Sequence, residues 1–509
     1  MEFESAMGKQ SNVTAVVALG VCMLICSLSW MYMRMPQFVI TAETGSDIAG
    51  WILSGYIIAE VSTVIVAGTL IDRLGPKNAV LIGTSLFFGS SIGLCLSGSV
   101  EMMIAFRVVQ GCGAGFLFTV ALGFIPKVYP KSKRLDPHKV MTLAFSVGSL
   151  FGTAVGYFFA FDVGNWRYLV PVCAFGVLVC GILAYRSLPD MPREYVRDVP
   201  GLILTIMAIS SVMVYTQMVN DSFELFSYES LAFLEFCLIL IFLLVLVERK
   251  ANDPIIPHGI TKTDFGLMAG MFLAGFCGLG LLQFITLFMM VSYGVTLYVA
   301  SKMLLCLIMG GVVTSLMGMK MVYREGIRPL VLTGSVIIAI AFMGAFFLMP
   351  RGLTGVGFSL FVMGLGFGLI ITEMLVSIQA ITPRRHQGSV TGMLMSCRFI
   401  GIILGMAVYK GIVNSALEGY VEGMGGEITG DIEYWLLEHM SSYAYDLIGI
   451  FESTVRDCCV AGGIAVLSVL AICYFMIGRE DLDAPEFIDD ERSSSFRSPS
   501  TSCSRSKGT

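Results

Sequence analysis

The chain has 509 residues, 56% of them hydrophobic and only 14% charged, with a mean hydropathy of +0.81 and a formal net charge of −5. Soluble domains carry about 25% charged residues, so this composition excludes an ordinary soluble protein and places the chain in a bilayer. The net charge decides little, because the charges are segregated by position along the chain.

A bilayer core needs about 20 apolar residues per helix. Runs of that kind lie near 13–35, 49–71, 78–98, 102–125, 140–160, 167–186, 200–218, 230–247, 266–291, 297–319, 329–349, 353–379, 389–412 and 457–477, which predicts fourteen spans. The first run is too long for a signal peptide and lacks a small-residue cleavage site. Basic residues crowd alternate connections. Lys127, Lys131, Lys133, Arg134 and Lys139 follow span 4, Arg186, Arg193 and Arg197 follow span 6, and Lys320, Arg324 and Arg328 follow span 10. The positive-inside rule makes these loops cytoplasmic, and with them both termini.

This divides the chain into a cytoplasmic N-terminus (1–12), a first six-helix bundle (13–186) and a linker carrying two inserted helices (187–250). A second bundle (251–478) with an acidic extracellular loop (413–456) and a Ser/Arg-rich disordered tail (479–509) complete it. The fourteen cysteines lie mostly singly in apolar runs and behave as small hydrophobes. Cys458 and Cys459 lack zinc spacing. His138, His258, His386 and His439 fall in predicted loops without metal or triad spacing, and read as solvated.

Span 2 closes on Gly68-Thr69-Leu70-Ile71-Asp72-Arg73-Leu74-Gly75-Pro76-Lys77. Glycines let two helix ends approach and turn, backbone N–H groups can hold Asp72, and Arg73 and Lys77 are expected in water. This G-x-L-x-D-R-x-G-x-K pattern resembles the loop between helices 2 and 3 of major facilitator superfamily transporters, where it serves gating. Gly318-x-Lys320 with Arg324-x-Gly326-x-Arg328 echoes it in the second half, with Tyr323 in place of the acid. The resemblance implies an all-α membrane fold of two six-helix bundles around a central cavity, with spans 7 and 8 as an inserted pair.

Span 4 holds Arg107-Val108-Val109-Gln110-Gly111-Cys112-Gly113, which resembles the superfamily pattern R-x-x-Q-G-x-G. An arginine in hydrocarbon costs at least about 2.5–3.5 kcal/mol, so it should face the interior. The resemblance links Arg107 to proton coupling; a structural arginine bonding helix carbonyls is the other reading. In span 5, Gly148, Gly152 and Gly156 resemble the exporter motif G-x-x-x-G-P-x-x-G-G, with Thr153 for the proline and Tyr157 for the last glycine. Asp198-x-x-Gly201, Glu248-Arg249 through Pro257, Gly364-x-Gly366-x-Gly368 and Ser396-x-Arg398-x-x-Gly401-x-x-x-Gly405 extend the likeness to the fourteen-helix drug–proton antiporter subfamily. The membrane-embedded aspartate usual in its helix 1 is missing: Cys26-Ser27-Leu28-Ser29 stands there, and Arg34 lies two residues before Pro36.

The acids deep within spans are Glu60 and Glu373. A carboxylate at mid-membrane is heavily destabilised, and a group so placed can load and release protons. Glu60 can instead ion-pair with Arg34 or Arg398, or bind a cationic group of the substrate. The proton-coupling candidates are Glu60, Arg107, Glu373 and Arg398, with Arg398 and Lys302 also readable as anion sites. Trp30, Tyr32, Arg34, Tyr56 and Gln283 are candidates for the cavity wall, which wants aromatic sides and few polar anchors.

The reading these observations support is a proton-coupled exporter of hydrophobic or cationic small molecules. It needs no cofactor beyond the proton gradient and no nucleic acid, and is expected as a plasma-membrane monomer. A transporter of a specific, possibly anionic, metabolite and a non-transporting sensor are the alternatives. No G-x-x-x-x-G-K-[ST] loop for an ATP-driven pump occurs, and nothing points to an enzyme.

Overall fold

Long apolar runs form helices here because a segment in hydrocarbon must satisfy its own backbone N–H and C=O groups. The computed structural model describes residues 2–46, 48–130, 133–190, 198–219, 227–251, 254–255, 261–325, 327–348, 352–383, 386–423 and 444–476. The first half comprises α1 (Glu2–Tyr32), α2 (Arg34–Thr44), α3 (Trp51–Leu74), α4 (Pro76–Leu96), α5 (Val100–Gly123), α6 (Ile125–Val128), α7 (Leu135–Tyr157) and α8 (Leu169–Ser187). The inserted pair is α9 (Val199–Met218) and α10 (Tyr228–Lys250). The second half comprises α11 (Lys262–Ala274), α12 (Gly280–Tyr293), α13 (Leu297–Glu325), α14 (Ile327–Leu348), α15 (Leu353–Ile381), α16 (Gln387–Gly423) and α17 (Ala444–Met476).

Among the described residues, twelve helical stretches are long and apolar enough to cross a membrane. The expected ninth span, 266–291, lies in α11 and α12, which a π-helical turn at Gly275–Leu279 separates. The expected tenth lies in α13, whose apolar part, Lys302–Thr314, is shorter. α16 runs on to Gly423 and α17 starts at Ala444, so helix extends into the expected 413–456 loop from both sides. The rest of that loop and the 479–509 tail lie outside the described residues, as do the side chains of Thr153, Tyr323 and Gln283.

Helix starts follow local chemistry. Ser99 Oγ accepts from Met102 N at 3.3 Å to open α5, and Asp198 Oδ1 accepts from Gly201 N at 2.9 Å to open α9. Gly75, at φ +81°, makes the turn into Pro76, a conformation that favours glycine over other residues.

The two halves repeat one pairing scheme. α3 packs on α5 as α13 packs on α15, α1 on α7 as α11 on α16, and α4 on α5 and α8 as α14 on α15 and α17. They meet where α3 packs on α16 and α7 on α13. The inserted pair docks on the first half: Ser62 and Ser210 share a hydrogen bond of 2.8 Å, and Val66 packs with Leu202.

Small residues set the helix spacing within the first half. A Cβ on Gly152 would lie 2.6 Å from Met31 Cβ and 2.9 Å from Leu28 O of α1, and one on Gly148 or Gly156 would strike the α1 backbone. These glycines let the backbones touch. Gly152→Leu should therefore lower the thermal midpoint of the purified protein in detergent, at a cost of about 1–3 kcal/mol or more for overpacking. Gly89→Ala, where a Cβ meets nothing within 4 Å, should leave the midpoint unchanged or raise it. Equal midpoints for the two variants would refute the packing role.

Candidate functional site

Arg107 projects from α5 into the interior of the first half and is fully buried. Neutral groups satisfy it. Its Nε donates to Ile52 O at 3.2 Å, Nη1 to Gln110 Oε1 at 2.7 Å and Ser29 Oγ at 3.3 Å, and Nη2 to Ser29 O at 3.3 Å. The guanidinium lies over the Tyr56 ring, 4.3 Å from its centroid. Gln110 is itself fixed, donating to Ser91 Oγ at 2.7 Å, and Tyr56 OH donates to Cys26 O at 3.1 Å. The helix 4 glycines make this possible by bringing α5 against α3. A Cβ on Gly111 would strike Tyr56 O, and one on Gly115 would lie 2.6 Å from Glu60 O.

Glu60 is buried one turn beyond Tyr56 on α3, within electrostatic reach of Arg107. Among the described residues it forms no ion pair with Arg34 or Arg398, so the permanent-pair reading fails in this arrangement. The structure thus brings together Glu60, Arg107, Gln110 and Tyr56. Tyr32 is buried close to Arg107 as well, its hydroxyl without a hydrogen bond among the described residues. Trp30 is half-buried against the cluster that contains Cys26, Tyr56 and Phe87, and Arg34 is half-buried at the break between α1 and α2.

In the second half, Glu373 of α15 is fully buried, and both its carboxyl oxygens lack a hydrogen-bond partner among the described residues. Arg398 of α16 is buried at the seam, with its guanidinium 5.8 Å from the Phe145 ring centroid and 5.9 Å from that of Phe399.

One end of the seam is closed by polar contacts that join the halves, centred on Asp72 of the stretch that resembles the family's gating loop. Asp72 accepts from Gly388 N at 2.9 Å, Ser389 N at 2.7 Å and Ser389 Oγ at 2.8 Å, which places a carboxylate at the start of α16. Lys127 pairs with the same carboxylate at 2.7 Å. Gly68 and Gly388 allow the approach: a Cβ on Gly388 would lie 2.6 Å from both Asp72 Oδ1 and Gly68 O. Beside it, Gln379 of α15 donates to Thr391 Oγ1 at 3.0 Å and Leu122 O at 3.4 Å, and its Oε1 lies 2.9 Å from His138 Nε2. Arg134 donates to Gln379 O at 3.3 Å and Pro126 O at 2.9 Å.

Two expectations change here. Arg73 is buried rather than solvated, because helices pack around its end of α3; Lys77 is partly exposed and pairs with Asp190 at 2.8 Å. His138 is not a solvated loop residue. It lies in the first turn of α7, 1% exposed, and joins the gate. Sequence offered no signal for His138 or Gln379, since the contact joins residues 241 apart.

Two repeated helical bundles with buried ionisable groups and polar contacts across their seam have the architecture of a membrane transporter. The Major Facilitator Superfamily pattern matches residues 17–406. The chain belongs to the major facilitator superfamily. It is 24% identical over 432 residues to the multidrug transporter protein MdtP of Bacillus subtilis, covering 81% of this chain and 77% of that one. Multidrug resistance protein 3 of Bacillus subtilis is 25% identical over 418 residues, 80% of each chain. The multidrug resistance protein Stp of Mycobacterium tuberculosis is 23% identical over 411 residues, covering 79% and 76%. Among solved structures, the xylose symporter XylE superposes with a TM-score of 0.62 at 13% identity, covering 92% of this chain and 97% of that one. The human organic anion transporter MFSD10 gives 0.61 at 13%, covering 92% and 99%. These two share the fold.

The gate geometry predicts the effect of Asp72→Ala. Losing a helix-capping carboxylate costs about 0.5–2 kcal/mol, and a tenfold change corresponds to about 1.4 kcal/mol. Amide hydrogen exchange at Gly388 and Ser389 should therefore accelerate roughly tenfold, while amides in the middle of α4 keep their rates. Unchanged exchange at those two amides would show that Asp72 does not hold α16.

Proposed function

We propose that this protein is a proton-coupled exporter of hydrophobic or cationic small molecules that works by alternating access. The observation that carries the reading is the arrangement around Glu60. Arg107 is satisfied by Ile52 O, Ser29 and Gln110, so its placement does not depend on the carboxylate. Glu60 is then free to exchange its proton without collapse of the site, while the permanent charge of Arg107 biases which form it holds. A charge that changes at the centre of a dry bundle alters the free-energy balance between the two orientations of the halves, which is what coupling requires. Glu373, buried without a bonded partner among the described residues, is a second proton site in the other half.

The three multidrug relatives support efflux, and the basic loops support a plasma-membrane orientation with both termini cytoplasmic. In that orientation the Asp72 gate is the cytoplasmic one, closed in this structure. The fourteen-span topology, a monomeric working unit, and a proton gradient as the sole energy source complete the proposal.

The test is proton flux in proteoliposomes with an imposed proton gradient, adding a panel of lipophilic cations. Wild type should release protons when a transported cation is added, and Glu60→Gln should abolish that release while leaving the protein folded. Release that persists in Glu60→Gln would remove Glu60 as carrier and turn the search to Glu373→Gln. A wild type that no compound in the panel drives would overturn drug–proton antiport for those compounds.

A further inference from the structure

Arg73, Arg107, Arg134 and Arg398 are buried among the described residues, and the protein treats Arg107 and Arg398 in opposite ways. Arg107 spends its donors on Ile52 O, Ser29 and Gln110. Arg398, only 9% exposed, makes no hydrogen bond or ion pair among the described residues, and its Nε is buried without an acceptor. Among the described residues neither Glu60 nor Glu373 forms an ion pair with it. An arginine stays charged at any physiological pH and presents donors in a planar fork that fits two oxygens of one carboxylate or similar oxyanion. An Nε buried without an acceptor among the described residues, in a protein that saturates Arg107, points to an acceptor brought by a bound compound.

Its surroundings specify the rest of that molecule. The guanidinium lies beside Phe145 and Phe399, and Phe118 packs edge-on against both rings, at 5.8 and 5.6 Å between centroids. Phe118 and Phe145 belong to the first half, and Arg398 and Phe399 to the second. Phe118 and Phe145 therefore meet Arg398 and Phe399 across the seam in this arrangement of the halves.

We infer that Arg398 is a specificity point for transported compounds, and that it adds to the hydrophobic and cationic ones aromatic amphipathic molecules carrying a carboxylate or another oxyanion. This rests on the transport reading above and extends it. Compounds without an acceptor use the same aromatic walls without the ion pair.

The experiment compares 2-naphthoate, 2-naphthalenemethanol and 2-naphthylmethylammonium, one ring system with three head groups, by titration calorimetry on the full-length protein in lipid nanodiscs. Wild type should bind naphthoate at least tenfold more tightly than the alcohol, while the ammonium, a compound of the exported class, binds independently of Arg398. Arg398→Gln should bring the carboxylate and the alcohol to parity, Arg398→Lys should keep a reduced preference, and Phe145→Ala should weaken all three alike. A wild type that does not distinguish the head groups overturns the proposal without any variant having to fold. So does a carboxylate preference that survives in Arg398→Gln. Cation-driven proton flux is measured on the same preparations. Flux in a wild type that shows no head-group preference leaves transport standing and removes only Arg398's role, whereas head-group selection in a protein without flux keeps the site and removes antiport.

Discussion

The Asp72 carboxylate is the interaction on which the present arrangement of the halves depends. It holds the first turn of α16 through two amides and a hydroxyl, and it is charge-balanced by Lys127. Charge-assisted bonds of this kind are roughly twice as strong as neutral ones, and here they join segments that share no covalent or local connection. The partners of Asp72, helix-end amides and a lysine, are groups that water can also satisfy. Gln379, with His138 and Arg134 around it, extends the same seam with neutral and cationic donors.

Packing and polarity divide the work inside the bundles. Hydrophobic burial gives no advantage to helix association in lipid, so contact is secured by small residues and interior hydrogen bonds. Gly111 and Gly115 bring α5 against α3 at Tyr56 and Glu60. That close approach is what seats Arg107 within bonding distance of Ile52 O and over the Tyr56 ring. The motif's glycines and its arginine are thus one device: the former supply the spacing that lets the latter be satisfied without a carboxylate.

The ionisable groups that remain are set against that background of satisfaction. Glu60 feels Arg107 without being bonded to it, Glu373 has no bonded partner among the described residues, and Arg398 faces aromatic rings across the seam. Groups of this kind are costly to bury, and they lie where a change of proton, substrate or orientation would be felt.

Most of the architecture was legible in the residues themselves. Apolar runs dictate helices because hydrocarbon offers no other partner to the backbone, and glycine spacing in 68–77, 107–115 and 148–156 marks close approaches that the structure contains. Asp72 was expected to meet backbone N–H groups, and it does. What one-dimensional pattern could not supply was which N–H groups, since they lie 316 residues away. The burial of Arg73, the contact of His138 with Gln379 and the unsatisfied Nε of Arg398 are of the same kind. Helix formation is a local consequence of composition and solvent, whereas the partner of a buried polar group depends on the packing of distant helices, and that the tertiary structure alone decided.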